Sequence, residues 1–579
     1  MTQNLAPPLA LAAAAGDASA VLDAAHLGDI RGALGSIAKD DLGRRRGLGS
    51  RLRTLLAILG PGLIVMVGDN DAGAFGTYTQ AGQNYGTALL WTLLLLVPVL
   101  YVNQEMVLRL GAVTGVGHAR LIFKRFGRFW GAFSVIDLFL LNALTIVTEF
   151  IGISLGLDAL GVSRVWGVAI SAGVIVAAAG TGDFRRFERI SLILVFASLL
   201  LVPVFVAVHP PMRQVAHDLL VPHLPAGGRL SDVMLLVIAI VGTTVAPWQL
   251  FFQQSYVIDK RITPRFIRYE RLDLWIGIAL VVVGGVAMMS FAAAAFAGRP
   301  GFGQFTDAAQ VALGIERYDG RLPGVLFSIA LIDASIIGAL AVSLSTAYAL
   351  GDVLAVRHSL HRKPAEAKAF YAVYAGLIVA GAALVLTPGV PLGLLTNLVQ
   401  TLAGILLPSA TVFLLLLCND RAVLGPWVNS RRLNRFTAAV IAVLVMLSVV
   451  LTASVLFPDI TGSQVVGTLS VGAGLAAAVA LGVAALQRRQ RGTPGAAPGS
   501  EPESSPESEP ESSPESEPES EAGPAQPPRE LWRMPPLERL APARLTLQSR
   551  VWMWVLRGYL VIAAGLLLAK LMHLALAAR

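Results

Sequence analysis

Cysteine and charge are both scarce in this 579-residue sequence. Its one cysteine, Cys418, excludes an internal disulfide and a cage of thiolate metal ligands. Charged residues make up 14% of the chain and hydrophobic residues 55%, which excludes a soluble multidomain protein. No nucleotide-binding loop, His/Cys metal cluster or nucleophile constellation is present, so an enzyme or an ATP-driven pump is not indicated. A polytopic membrane protein remains, with the lipid bilayer as a partner and no cofactor, nucleotide or nucleic acid.

Long apolar runs fill most of the chain, and each has about the ~20 residues needed to cross a membrane as a helix. They predict twelve core helices in an all-α integral membrane protein, at residues 55–82, 86–110, 131–157, 164–180, 189–208, 233–258, 272–297, 324–350, 369–388, 393–418, 437–457 and 464–486. Lysine and arginine concentrate in alternate loops, which predicts a cytoplasmic N-terminus.

The sequence divides into four regions. The first thirty residues lack the basic region typical of a signal peptide. Residues 1–54, which are rich in Ala and Gly and basic at their end, predict a flexible cytosolic tail, and residues 55–488 are predicted to form the transmembrane core. Residues 489–548 contain a Glu-Pro-Glu-Ser-Ser-Pro-Glu-Ser repeat and predict a disordered linker, more a spacer than a partner-binding or phosphorylated segment. Residues 549–579 predict an extra helix. A membrane-spanning helix is favoured there, although Arg557 and the pair Trp552/Trp554 also permit an interfacial one.

The first apolar run is interrupted by acids and glycines between Gly60 and Gly76. An unpaired charge at mid-bilayer costs about 2.5–3.5 kcal/mol on insertion scales, so Asp69 and Asp71 indicate a polar partner or a cation. The glycines Gly68 and Gly73 weaken the helix between them, and unwound backbone at membrane depth is tolerated where it lines a cavity. A broken transporter helix is therefore predicted, with a kink and a buried hydrogen bond as the alternative.

The sixth run is interrupted as well, because Pro247 lacks a backbone N–H and follows Gly242, Thr243 and Thr244. Breaks in helices 1 and 6 lie five helices apart, which predicts two inverted five-helix repeats with a binding site at the breaks. Free carbonyls at the ends of half-helices and the charge of Asp71 favour a cation in that site.

These two stretches resemble the Nramp family of divalent-metal transporters, which has the LeuT-type fold. Gly60-Pro61-Gly62, Asp71-Ala72-Gly73-Ala74-Phe75 and Gln80-Ala81-Gly82 are similar to its Gly-Pro-Gly, Asp-Pro-Gly-Asn-Phe and Gln-Ala-Gly motifs. The segment from Gly242 to Trp248 resembles its helix-6 Met-Pro-His segment, and Gln400 with Pro408 resembles its helix-10 pattern. The resemblance covers roughly residues 55–486.

The resemblance implies a metal site formed by Asp71, Gly68, Ala74, Thr243, Ala246 and Gln400. Two of these positions depart from the family: Ala74 replaces its Asn, and Ala246 replaces the Met whose thioether favours softer metals. The site expected here is wider and lined only by oxygen ligands. Such a site suits Mg²⁺, which keeps several of its waters, and matches a divergent branch of Nramp-related magnesium transporters. Mn²⁺ is a plausible second substrate.

A second set of residues is predicted to lie along the transport pathway or to gate it: Asp69, Asn70, Gly73, Thr244, Pro247, Trp248, Gln253, Glu149 and Asp333. Trp248 either packs between helices or restricts the route taken by protons in relatives. Asp333 is a cation contact or a carboxyl hydrogen-bonded to Ser335 or Ser343. For Glu149 and Asp137, a buried polar network is the simpler alternative.

The family's helix-6 histidines correspond to Trp248 and Gln253, and its helix-3 Asp corresponds to Ile146, so the proton relay is mostly absent. We therefore expect import of largely hydrated Mg²⁺ without proton coupling. The alternatives are a proton-coupled Mn²⁺/Fe²⁺ importer and, in another class, a non-transporting sensor or scaffold. The protein is expected to be a monomer in a bacterial inner membrane.

Overall fold

The computed structural model describes residues 20–41, 43–388, 399, 408–456, 461–491, 528–540, 543, 549–559 and 561, most of them in helices. Within these residues, eight helices are long and apolar enough to cross a membrane, or nine if one bent pair counts as a span. Two further apolar helices are shorter. The all-α membrane architecture predicted from the sequence is therefore confirmed.

The first repeat begins with a bent and then interrupted helix. Its helices are α1 (Leu48–Ile58), α2 (Pro61–Val67), α3 (Ala72–Tyr85), α4 (Trp91–Thr114), α5 (His118–Phe126), α6 (Arg128–Ala159), α7 (Arg164–Ala179), α8 (Phe184–Ala197) and α9 (Leu201–Val208). The chain bends by 54° between α1 and α2, where Gly60 has a φ of 151° that favours glycine and Pro61 starts α2.

The second repeat and the helices after it follow the same pattern of long apolar helices joined by short ones. They are α10 (Met212–Leu220), α11 (Leu230–Thr244), α12 (Pro247–Asp259), α13 (Ile267–Phe296), α14 (Ala308–Asp319), α15 (Arg321–Leu354), α16 (Lys368–Leu386), α17 (Pro408–Cys418), α18 (Arg421–Leu424), α19 (Arg431–Leu456) and α20 (Gly462–Arg491). The predicted tenth span is described only at residues 399 and 408–418, so the count of twelve stays a prediction.

Helix packing follows the symmetry expected of inverted repeats. The two halves of helix 1, α2 and α3, pack on α13, which is helix 7, and α12 of helix 6 packs on α4, which is helix 2. Exchanging the two repeats replaces helices 1 and 7 by helices 6 and 2, so the first packed pair becomes the second. Helices 3 and 8, α6 and α15, also pack on each other and exchange places. This arrangement brings both broken helices to the centre of the bundle.

The predicted flexible N-terminal tail is wrong for residues 20–41, which we call the N-terminal strap. The strap contains a two-stranded antiparallel hairpin, β1 (Ile30–Gly32) and β2 (Gly35–Ile37), that packs on α1. Ile30, Ala33 and Ile37 are buried there. The apolar side chains were too few to predict an ordered segment, and its order depends on partners far along the chain. Residues 1–19 lie outside the described residues.

The predicted disordered linker is wrong at both of its ends. Helix α20 continues to Arg491, and residues 528–540 pack against the core, where Met534 donates its N–H to the Val113 carbonyl (3.2 Å). Arg529 stacks over the Trp427 ring, 4.1 Å from its centroid. The Pro/Glu/Ser repeat lies outside the described residues. The extra helix is present at residues 549–559, and most of the predicted span 551–578 lies outside them.

Candidate metal-transport site

The first helix is broken at residues 68–71, as predicted. Asp69 and Asn70 form only short turns, donating their N–H groups to the carbonyls of Met66 (3.2 Å) and Val67 (3.1 Å). Asp71 is extended and caps α3, accepting from the Ala74 N–H at 3.0 Å, a role that Asp fills readily at helix starts. The carbonyl of Gly68 loses its helical donor, because the Ala72 N–H donates to Glu149 Oε2 instead (3.2 Å).

The second break lies at Val245 and Ala246, between α11 and α12. Ala246 has an extended backbone, and Pro247 occupies the first position of α12. A helical bond to the Thr243 carbonyl would come from the N–H of residue 247, which proline lacks. The carbonyls of Gly68 and Thr243 are therefore both released from helical hydrogen bonding, as the sequence predicted.

A small, partly open cavity brings the two breaks together against α6. Its described lining is Asp71, Gly73, Leu141, Thr145, Thr148, Glu149, Gly242, Thr243, Ala246, Trp248 and Val399. This lining contains carboxylate, hydroxyl and backbone oxygens and no Lys, Arg, His, Cys or Met side chain. Two acids without a basic neighbour favour a cation in the cavity.

Glu149 is the least exposed polar group of this lining and is fully buried. Its Oε2 accepts from Ala72, and its Oε1 has no hydrogen-bond partner among the described residues. Gly338 of α15 allows this approach, since a Cβ there would lie 2.7 Å from the Glu149 carboxyl carbon. Glu149 of α6 is thus bonded to the start of α3 and packs closely against α15.

Asp69 is fully buried but faces a different environment from Asp71. It accepts a hydrogen bond from Gln249 Nε2, and Gln249 Oε1 accepts in turn from Gln104 Nε2 at 3.0 Å. Sequence reasoning missed Gln249 and Gln104. Nothing in the sequence gives the register of α4 against α12, although two glutamines inside apolar helices were a signal of a polar interior.

Trp248 packs between helices and also lines the cavity, while a restriction of the proton route stays a prediction. Its side chain is buried and lines the cavity, and a Cβ on Gly68 would lie 3.6 Å from its ring. Its carbonyl accepts from Ser345 Oγ at 3.0 Å. Thr244 joins the two broken helices through its hydroxyl, 2.8 Å from that of Tyr78 in α3.

Several predicted residues lie apart from the cavity lining. Ala74 packs in an apolar cluster with Phe75, and Gly68, Asn70, Pro247 and Gln253 are also outside the described lining. Asn70 donates to the Val281 carbonyl at 3.2 Å, and Gln253 is fully buried. Gln400 lies outside the described residues.

Asp333 is also outside this lining. The predicted hydrogen bond from a serine is wrong: Ser335 donates to the Leu331 carbonyl (2.7 Å), and Ser343 Oγ has no partner among the described residues. Asp137 belongs to a local polar contact, accepting from Ser409 at 3.0 Å. Within the described part of the chain, no group of three or more His, Cys, Asp or Glu side chains is placed to hold a metal.

Two membrane helices broken beside one acidic cavity define a secondary transporter of the broken-helix class. Residues 62–454 match the family model for natural resistance-associated macrophage protein-like (Nramp) proteins. The divalent metal cation transporter MntH of Ralstonia nicotianae is 31% identical over 395 residues, covering 66% of this chain and 86% of the relative. MntH 1 of Pseudomonas aeruginosa is 29% identical over 402 residues, covering 66% and 88%.

The manganese transporter of Eremococcus coleocola has a similar fold, with a TM-score of 0.58 at 19% identity over 79% of this chain and 99% of that one. The chain belongs to the Nramp family and has its LeuT-type fold. It is a multi-pass membrane transporter of divalent metal cations and not an enzyme.

Proposed function

We propose that this transporter imports Mg²⁺ as a largely hydrated ion, with Mn²⁺ as a second substrate, and without proton coupling. The supporting observation is the composition of the cavity lining: Asp71, Glu149, three threonines and backbone oxygens, with Ala246 where the family has its Met. Oxygen ligands and a short side chain at the second break suit a hard ion that keeps much of its water shell.

The proposed ligands are those predicted from the sequence: Asp71 as the anchoring charge, the carbonyls of Gly68 and Thr243, and Gln400. Of the two predicted alanine positions, Ala246 lines the cavity, whereas Ala74 lies in an apolar cluster. The released carbonyls at both breaks support this assignment, because each would otherwise be a buried acceptor without its helical donor. Thr145 and Thr148 add hydroxyl groups that could contact the ion through water.

The membrane potential is sufficient to drive this import. Moving a charge through 100 mV is worth ~2.3 kcal/mol, so a divalent ion gains ~4.6 kcal/mol, or roughly a thousandfold in accumulation. The absence of histidine from the described lining supports uncoupled transport, since histidine is the residue that usually titrates near neutral pH.

A proton-coupled Mn²⁺ importer is the second candidate, and one observation favours it. Glu149 is buried next to the start of α3 with one oxygen unpartnered among the described residues, a position in which a carboxyl could carry a proton.

The test is uptake into liposomes that contain a Mg²⁺ indicator, at a fixed membrane potential and varied external pH. The native chain is compared with Asp71→Ala and with Asp307→Asn, which removes a helix-capping acid outside the cavity. We expect potential-driven Mg²⁺ uptake that is lost in Asp71→Ala, retained in Asp307→Asn and unaccompanied by acidification. Proton entry with each ion, abolished by Glu149→Gln, would favour the second candidate and reject uncoupled transport.

A further inference from the structure

Asp69 is a buried acid that the cavity around Asp71 does not use. Its side chain is fully buried, one oxygen accepts from Gln249, and Oδ2 has no hydrogen-bond partner among the described residues. No basic side chain of the described residues pairs with it. An acid buried in this way within a membrane is expected to serve a cation or a proton.

An amide chain on α12 and α4 leads away from this carboxylate. Because Gln249 donates to Asp69 and accepts from Gln104, the Oε1 atom of Gln104 is left as an acceptor without a partner in the described part of the chain. One turn further along α12, Gln253 is buried with both amide atoms unpartnered among the described residues. The same holds for Asn103, next to Gln104.

Buried polar groups without partners cost about 1–3 kcal/mol each, and native proteins contain few of them. Their concentration on two packed helices indicates a place that a polar ligand fills during the transport cycle. The available acceptors are oxygens of one carboxylate and several amides, which suit a hard cation with part of its water shell.

We propose that Asp69, with Gln249 and Gln104 and with Gln253 one turn further along the same face of α12, forms a second station for a hydrated divalent cation. The station receives the ion from the Asp71 cavity across the first break and lies on the side where α12 leads to Asp259. The identity of the ion rests on the proposed function. A single ion binds first at Asp71 and then at Asp69.

The experiment measures uptake kinetics of Asp69→Asn and Asp69→Glu. Asparagine keeps an oxygen that can accept from Gln249 but removes the charge, whereas glutamate keeps the charge. For the station, the maximal rate of Asp69→Asn falls at least tenfold with KM changed less than threefold, and Asp69→Glu recovers part of the rate. If Asp69 only holds Gln249 in place, Asp69→Asn transports like the native chain and the proposal fails.

A raised KM at an unchanged maximal rate would place Asp69 in the first site and would also overturn the proposal. Mn²⁺ uptake is measured in parallel. If the native chain moves Mn²⁺ but not Mg²⁺, the proposed Mg²⁺ function fails, while the effect of Asp69→Asn on Mn²⁺ uptake still decides whether the station exists.

The N-terminal strap supports a second, independent inference, because its partners lie on several parts of the core. Asp23 accepts from Arg362 (Nη2 to Oδ1, 2.5 Å) and from the His358 N–H at 3.0 Å. Arg261 donates to the carbonyls of Ala25 (2.8 Å) and Asp29 (3.1 Å).

The strap therefore connects the end of α12, the second half of broken helix 6, with the α15–α16 loop that follows helix 8. Glu188 of α8 joins the same assembly by accepting from the Ala33 N–H at 2.5 Å. Alternating access requires movement of the broken helices against the rest of the bundle. We infer that the strap is a latch that holds this end of the transporter closed.

The latch is tested by labelling Gln253→Cys with a polar maleimide in a Cys418→Ser chain. Releasing the latch with Asp23→Asn, with Arg362→Gln, or by deleting residues 2–41 is expected to speed labelling at least fivefold. The two point variants should not be additive. Arg186→Gln, which removes an exposed arginine at the start of α8, is the control. Equal labelling rates in the latched and released chains would overturn the inference.

Discussion

The two acids of the cavity have surroundings opposite to those of Glu188 and Glu105 at the α8/α12 end of the bundle. In the cavity, Asp71 and Glu149 have no basic neighbour in the described lining. At the other end, Glu188 lies 2.6 Å from Lys260, and both side chains are fully buried. Glu105 similarly pairs with Arg109 (3.1 Å) and Arg271 (2.5 Å). The paired acids hold helices together, and under the proposed function the unpaired acids of the cavity attract the transported ion.

Lys260→Met would turn a paired acid into an unpaired one and should have the largest effect on stability. The lysine also donates to the Leu59 carbonyl at 2.8 Å, just before α2. Removing one partner of a buried pair typically costs 3–5 kcal/mol, so we expect a loss of about that size in the free energy of unfolding. Thermal and denaturant unfolding in detergent measure it.

The matched control for this change is the double variant Glu188→Leu/Lys260→Met, which removes both charges. It should recover most of the lost stability, because replacing a buried pair by apolar side chains is often close to neutral. If Lys260→Met alone were as stable as the native chain, ion pairing would not distinguish the α8/α12 end from the cavity.

Local sequence was sufficient to predict the two breaks, because Asp69, Asp71 and Pro247 conflict with an uninterrupted membrane helix. The partners of these residues were not predictable. That Asp69 faces Gln249 and that Ala72 donates to Glu149 depend on how distant helices pack, which one sequence does not give. The strap was missed for the same reason: Asp23 and Arg362 are 339 residues apart.

His358, in the α15–α16 loop, also pairs with a buried acid and makes the stability of the protein depend on pH. Burial alone would lower the pKa of His358, but Asp352, 3.2 Å away, outweighs it and raises the pKa to about 9. Asp23 and the His26 ring, centred 5.1 Å from that of His358, also face it. A raised pKa means that the folded state holds the proton more tightly than the unfolded chain does.

The resulting stabilisation is complete below pH 6.5 and is lost as the pH rises from there to about 9. Each pKa unit is worth about 1.4 kcal/mol, so the loss should be on the order of 3–4 kcal/mol. Melting temperatures measured between pH 6 and 9.5 test this, and His358→Gln should flatten the profile. If the native chain and His358→Gln lost stability in parallel, the change would come from other groups.

Ala246→Met changes the cavity without changing Asp71 or Glu149. Of the three predicted changes in free energy, this one in ion selectivity should be the smallest. Ala246 lines the cavity at the second break, so a methionine there would narrow the space for hydrated ions and add a thioether that favours softer metals. We expect the preference for Mn²⁺ over Mg²⁺ to rise about tenfold, equivalent to about 1.4 kcal/mol. Competition uptake in liposomes measures it, with Ala246→Leu as a control that adds similar bulk without sulfur. Equal shifts in the two variants would assign selectivity to cavity size alone, and no shift in either would mean that residue 246 does not contact the ion or its waters.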